Sequence, residues 1–230
     1  MIAVVFDMDG VISDTEPLHV ESETVLLSRY GIDATAVLGD GRYVGVPDRQ
    51  FFSEVFATYG VRADIDAAIA EKWTLMARCP DAAIAAVPGA LELIAALRRG
   101  GFRLALASSS PRAFIARVLG CLGLVQTFDV VVSAEDVVRG KPAPDIFREV
   151  AARLGVLPSA CVVIEDSRNG MLAARRAGMK VVGLVPASGA GEADHLVNDL
   201  RHLTPDTLVA LCATARPPGP SGPPPTSTRR

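Results

Sequence analysis

The chain has 230 residues, half of them hydrophobic and 21% charged, so it has ample material for a packed core and is not an intrinsically disordered protein. Lys and Arg (23) nearly balance Asp and Glu (26); the net charge of −3 excludes a nucleic-acid binder working through bulk charge and leaves local positive groups to hold an anion. No apolar run approaches the roughly 18 to 20 residues of a bilayer span, and Met1 passes directly into the strand-like IAVVFD without a basic leader, so a soluble, cytoplasmic, membrane-free protein is expected. Cys79, Cys121, Cys161 and Cys212 lie far apart with no C-x-x-C spacing, which predicts reduced, buried thiols and neither a disulfide framework nor a zinc site.

In chain order, residues 2–6 form a short, continuously apolar run that reads as a strand buried on both faces. Residues 16–87 carry no such run and read as helices only, over 17–30 with Gly31 as the stop, around 49–59 and around 65–78. From residue 87 strand and helix patterns alternate. Pro88 and Gly89 lead into the helical LELIAALRR, followed by strands at 102–107 and 129–133. A helical face of Ile146, Phe147, Val150, Ala151 and Leu154 precedes strands at 161–164 and 180–185. Such alternation implies βαβ crossovers and a parallel sheet, an α/β Rossmann-like core interrupted after its first strand by an α-helical insertion. The last residues, PPGPSGPPPTSTRR, hold six of the sixteen prolines and little to bury, so a disordered Pro-rich tail is expected over 213–230.

Open parallel sheets bind ligands beyond the carboxyl ends of their strands. The residues just past the apolar runs are Asp7-Met8-Asp9-Gly10 after the first, Ser108-Ser109-Ser110 after the second and Glu165-Asp166-Ser167 after the fourth, with Lys141 shortly after the third, DVVVS, in GKPAPD. Crowded carboxylates repel in a cleft, and a hard divalent cation relieves them; Mg2+ takes oxygen ligands and keeps waters, which suits this set. Asp7 and Asp9 share a side of an extended segment, and Gly10 permits a sharp turn. One carboxylate can attack phosphorus while the other handles protons, with Lys141 and Ser108 meeting the charge of the transferred group. The chain has twenty arginines and three lysines, so a lysine at position 141 suggests a need for a compact point charge. Taken singly, Asp-x-Asp-Gly is also a turn and a triple serine before Pro111 also a helix N-cap.

Together FDMDGVISDTEPLH, LALASSS, GKPAPDIF and VIEDSRNGMLAARRAGM resemble, in order, the four motifs of the haloacid dehalogenase superfamily. The resemblance is nearest to the branch of β-phosphoglucomutase and small sugar-phosphate phosphatases, whose helical cap follows the first motif. It implies a core at 1–15 and 87–212 and a cap at 16–86, with hinges near 13–16 and 86–89 that close over the substrate. It further implies Asp7 as nucleophile, Asp9 as general acid/base, Lys141 as the neutralising lysine and Ser108 as the phosphate-binding hydroxyl, aided by Ser109 and Gly10. Mg2+ would be held by the Asp7 carboxylate, the Asp9 backbone carbonyl and Asp166, with Glu165 assisting. His19 falls where mutase-like members carry a hinge histidine, though a core or surface histidine fits as well. Arg49, in the cap loop GVPDR, could grip a second anionic group or be a solvated arginine. Lys72 is a cap contact or a structural residue. Where the mutases continue the serine motif into lysine and asparagine, this chain has Pro111 and Arg112.

The implied activity is Mg2+-dependent hydrolysis of a small phosphate monoester, a sugar phosphate, through an aspartyl phosphate, by a monomer. The alternatives are a β-phosphoglucomutase-type mutase and a non-catalytic metabolite-binding module; phosphonate cleavage would need Lys72 as a Schiff base.

Overall fold

The computed structural model describes residues 2–39, 42–43, 45–184 and 192–214. Six parallel strands form one sheet: β1 (Ala3–Phe6), β2 (Arg103–Ser108), β3 (Val130–Ser133), β4 (Cys161–Glu165), β5 (Lys180–Leu184) and β6 (His195–Val197), in the order β3-β2-β1-β4-β5-β6. This is the Rossmann order, with β1 at the centre where the direction of winding reverses. Phe6 lies in register with Leu106 on one side and Ile164 on the other, so the residues after β1, β2 and β4 emerge side by side at one edge.

The strands are continuously apolar because helices cover both faces. Val4, Phe6, Leu104, Leu106, Val162 and Ile164 point to one face, packed by Leu93, Ile94 and Leu97 of α5 (Ala90–Arg99) and Phe114, Ile115 and Val118 of α6 (Arg112–Cys121). Ala3, Val5, Ala105, Ala107 and Val163 point to the other, against Ile146, Phe147 and Val150 of α7 (Asp145–Leu154) and Met171 and Ala174 of α8 (Arg168–Ala177). Burying each larger side chain contributes roughly 1.5–3 kcal/mol.

Between β1 and α5 the described residues form four α-helices, α1 (Glu16–Arg29), α2 (Ala34–Leu38), α3 (Asp48–Tyr59) and α4 (Ile65–Met76). They enclose their own apolar cluster, in which Leu26, Leu27, Phe51, Phe52, Val55, Phe56 and Ala68 are buried. The chain enters and leaves this segment through two paired linkers: Ser13 bridges Ala86, Asp14 N–H donates to Ala85 O at 2.9 Å, and Val87 N–H donates to Ile12 O at 3.0 Å. A last helix, α9 (Pro205–Ala213), packs Leu208 into the sheet's first face.

The expected strands are all present, displaced by a residue or two at their ends; Val185 lies outside the described residues, as do residues 215–230 of the tail expected over 213–230, whose first residue, Ala213, instead ends a helix. Two further expectations are corrected. All four cysteines are free, but only Cys161 among them is buried, Cys79 and Cys212 being half-buried and Cys121 exposed. Helix α2 and strand β6 have no counterpart in the sequence pattern: α2 has five residues, started by the Asp33 side chain accepting from Thr35 N–H, and β6 is a three-residue edge strand. No described helix is long and apolar enough to cross a membrane.

Candidate active site

Beyond β1 the chain turns sharply at Gly10, whose φ of 76° suits glycine; a Cβ there would lie 2.0 Å from Asp166 Oδ2. This close approach lets the first turn sit against the acids that follow β4. Asp7 and Lys141 are buried, and Lys141 Nζ lies 2.6 Å from Asp7 Oδ1, 2.7 Å from Glu165 Oε1 and 3.2 Å from Ala107 O. Burial alone would lower the lysine pKa, but Asp7 and Glu165 outweigh it and hold Lys141 above its ordinary value, as a fixed cation.

Glu165 has no exposed surface. Its Oε2 accepts from Ser167 N–H at 2.8 Å and Ser167 Oγ at 2.9 Å, while Lys141 takes Oε1. Gly170, on the first turn of α8, makes room for it, since a Cβ there would come within 1.6 Å of Glu165 Oε1. Glu165 thus orients Lys141 and the start of α8.

Asp7, Glu165 and Asp166 present oxygens that all lie within 4.8 Å of one another. Burial, then the neighbouring carboxylates Glu165 and Asp9, push Asp7 up to about 7 against the pull of Lys141. Burial, with Glu165 and Asp7, also holds Asp166 well above the usual carboxylate range. Acids strained in this way against ionisation, with oxygen donors converging, fit a hard divalent cation such as Mg2+. Because the Glu165 oxygens are already engaged, Asp7 and Asp166 are the better-placed side-chain ligands.

The Asp9 carboxylate is turned elsewhere. Its Oδ1 accepts from Thr15 Oγ1 in a short hydrogen bond, and Oδ2 accepts from Ser110 Oγ at 2.8 Å and from Ser108 Oγ at 3.4 Å. His19 Nε2 stands 3.5 Å from Oδ1, its ring edge-on to Trp73 and Phe114. Burial pushes Asp9 up, but His19, Thr15 and Ser110 prevail and bring it to about 2. His19 is raised in turn, since Asp9 overcomes its desolvation. Two carboxylates two residues apart are therefore held by separate partner sets, Asp7 by Lys141 and Asp9 by Thr15, Ser110 and His19, which sets them in different environments at one strand end.

Asp7, Asp9, His19, Arg49, Ser109, Lys141, Glu165 and Asp166 all line one cavity of about 810 Å³ between the sheet edge and the inserted helices. Ser108 is fully buried beneath it, its Oγ also accepting from Ser110 N–H at 3.0 Å. Arg49 is exposed and ion-paired with Asp66. Arg112 pairs with Asp136 at 2.8 Å and is not among the described residues lining the cavity. Lys72 is structural and buried, its Nζ 2.6 Å from Glu23 Oε1 and 2.5 Å from Asp48 Oδ1. The sequence reading missed Thr15 and Ser110 as partners of Asp9, and Glu23, Asp48 and Trp73 in the cavity wall. Thr15 stands six residues from Asp9 inside the first motif, a local signal; the wall residues are assembled from three helices and carry none.

The family model described as haloacid dehalogenase-like hydrolase matches residues 4–184. A phosphorylated carbohydrates phosphatase of Thermotoga maritima is 34% identical over 212 residues, covering 92% of this chain and 94% of that protein. Hexitol phosphatase B of Escherichia coli K12 is 32% identical, covering 91% and 97%. Among solved structures, a β-phosphoglucomutase from Clostridium difficile superposes with a TM-score of 0.80 at 26% identity, covering 92% of this chain and 97% of that one. On the match across most of its length, joined to the carboxylate and lysine site at its strand ends, the chain belongs to the haloacid dehalogenase-like hydrolases, in the branch of sugar-phosphate phosphatases and β-phosphoglucomutases, as a phosphoric monoester hydrolase.

Proposed function

We propose that the protein hydrolyses a small sugar phosphate through a phosphoryl ester on Asp7, with residues 16–86 acting as a cap over a core of 1–15 and 87–212. The observation that carries this reading is the opposed pair: Asp7 bound by Lys141 at Oδ1, and Asp9 held apart from it by Thr15, Ser110 and His19. Asp7 Oδ2 attacks phosphorus while the ester oxygen leaves and takes a proton from the Asp9–His19 pair. Asp9 then removes a proton from water, which attacks the same phosphorus, releases inorganic phosphate and restores Asp7.

Lys141 keeps Asp7 oriented and faces the negative charge of the transferred group, and Ser109, which lines the same cavity, meets a remaining phosphate oxygen. Asp7, Asp166 and the Asp9 backbone carbonyl would hold Mg2+, which supplies charge neutralisation at the phosphoryl oxygens. The cap covers the site and shelters the ester from stray water. Arg112, engaged by Asp136, offers no grip on a second phosphate, which favours water over a sugar hydroxyl as the second acceptor.

Phosphate release from a panel of sugar and hexitol phosphates, with and without Mg2+, tests this reading. The wild-type enzyme is expected to release phosphate and Asp7→Asn to lose activity by at least about 1,000-fold while keeping its fold. Conversion of β-glucose 1-phosphate to glucose 6-phosphate without comparable free phosphate, or unaltered hydrolysis by Asp7→Asn, would overturn it.

A further inference from the structure

The cavity wall contributed by the inserted helices carries charge that the hydrolytic chemistry does not use. Glu16, Glu23, Asp48 and Asp66 line it, against two cations, Arg49 and Lys72. Neither cation is available to a ligand's second anionic group. Lys72 has a side chain only 3% exposed and is clasped between Glu23 and Asp48, with Trp73 Nε1–H donating to the other Asp48 oxygen at 2.8 Å. Arg49 is already paired with Asp66 at the rim, both side chains more than half exposed, where solvent screening leaves an added anion little to gain. The two other basic groups of the described lining are also committed: Lys141 to Asp7 and Glu165, and His19 to Asp9. An approaching second anion would therefore meet the unpaired excess of carboxylate.

The same wall suits a neutral polyol. Ionised carboxylates only accept hydrogen bonds, and hydroxyls donate them; Lys72 holds one oxygen each of Glu23 and Asp48, so their remaining lone pairs are oriented. Trp73 and Tyr43 add aromatic surface to the cavity for the C–H faces of a carbohydrate.

We infer that the leaving group of the substrate is a polyol bearing no second charge, and that the Glu23 and Asp48 carboxylates that neutralise Lys72 enforce this by rejecting phospho-acids and bisphosphates. The inference rests on the phosphatase reading above and specifies its substrate class.

Sorbitol 6-phosphate and 6-phosphogluconate provide the test, because they share one six-carbon skeleton and differ at C1, hydroxymethyl against carboxylate. The wild-type enzyme is expected to favour sorbitol 6-phosphate in kcat/KM by about tenfold or more. In Asp48→Asn, or in Glu23→Gln should the first fail to fold, the preference should shrink several-fold through faster turnover of 6-phosphogluconate. If neither variant folds, the wild-type ratio decides. Equal or preferred turnover of 6-phosphogluconate by the wild-type enzyme, or an unchanged ratio in a folded variant, would overturn the inference. Hydrolysis of p-nitrophenyl phosphate with refusal of both hexose derivatives would overturn it alone. Failure to release phosphate from any of the three would bring down the phosphatase reading and this inference with it.

Discussion

Asp7 and Asp9 show how position, not residue type, assigns a carboxylate its work. Asp7 titrates near 3.8 when unfolded and near 7 when folded, so across that interval the folded state holds more protons and stability falls as pH rises. Asp166 acts in the same direction. Asp9, lowered to about 2, stabilises the fold above its unfolded value, and that contribution is lost as pH falls from about 4 toward about 2. On the proposed assignment a divalent ion at Asp7 and Asp166 would compete with the protons that burial favours, so its stabilisation would grow with pH. Thermal unfolding in EDTA and in excess MgCl2 should show a larger rise in Tm at about pH 8 than at about pH 5, each kcal/mol of binding appearing as about 2–4 °C. A shift of the same size at both values would contradict the assignment of these carboxylates to the metal.

At the scale of elements, the joint between core and inserted helices is fastened by side chains as well as by the paired linkers: Asn169 of α8 donates to Gly45 O at 3.0 Å, and Arg117 ties the other end. Arg117, on α6, donates to Ala77 O at 2.9 Å, to Cys79 O in a short hydrogen bond, and to Asp81 Oδ1 at 2.7 Å. It caps the carboxyl end of α4, whose last carbonyls have no partners within the helix. Arg117→Ala should speed amide hydrogen exchange over residues 76–84 and leave β1, β2 and β4 unchanged, at a cost of about 1 kcal/mol in stability. Unchanged exchange in that linker would show that Arg117 does not hold it. The sequence revealed this region as helical and not its fastening, because Arg117 and Asp81 are 36 residues apart and meet only through packing. Strands such as β1 and β4 were legible because both faces are buried and the apolar run is unbroken. Edge strand β6, with Leu196 exposed, has no such run to display. For the same reason Asp7, Lys141 and Glu165 could be picked out from strand ends, whereas the clasp of Lys72 by Glu23 and Asp48, spanning 49 and 24 residues, could not.

Across the whole molecule, the winding order sets β1 at the centre of the sheet, and the inserted helices arise directly from the turn that follows it. The groups of the proposed chemistry and the cavity wall thereby come from different parts of the chain: the segments that follow β1, β3 and β4 supply Asp7, Lys141 and Asp166, and helices α1, α3 and α4 supply Glu23, Asp48 and Trp73. On the proposed reading, the core keeps one chemistry while the wall selects what is brought to it. Central to this view is a phosphoryl group carried on Asp7, and Asp9→Asn allows it to be caught. With p-nitrophenyl phosphate the leaving group needs no proton, so the first step is spared, while the second lacks its base. Rapid mixing followed by acid quench and peptide mass mapping should reveal a burst of nitrophenolate about equal to the enzyme present, with the phosphoryl group on Asp7. A phosphoryl group on any other residue, or a burst that leaves the protein unmodified, would contradict the mechanism.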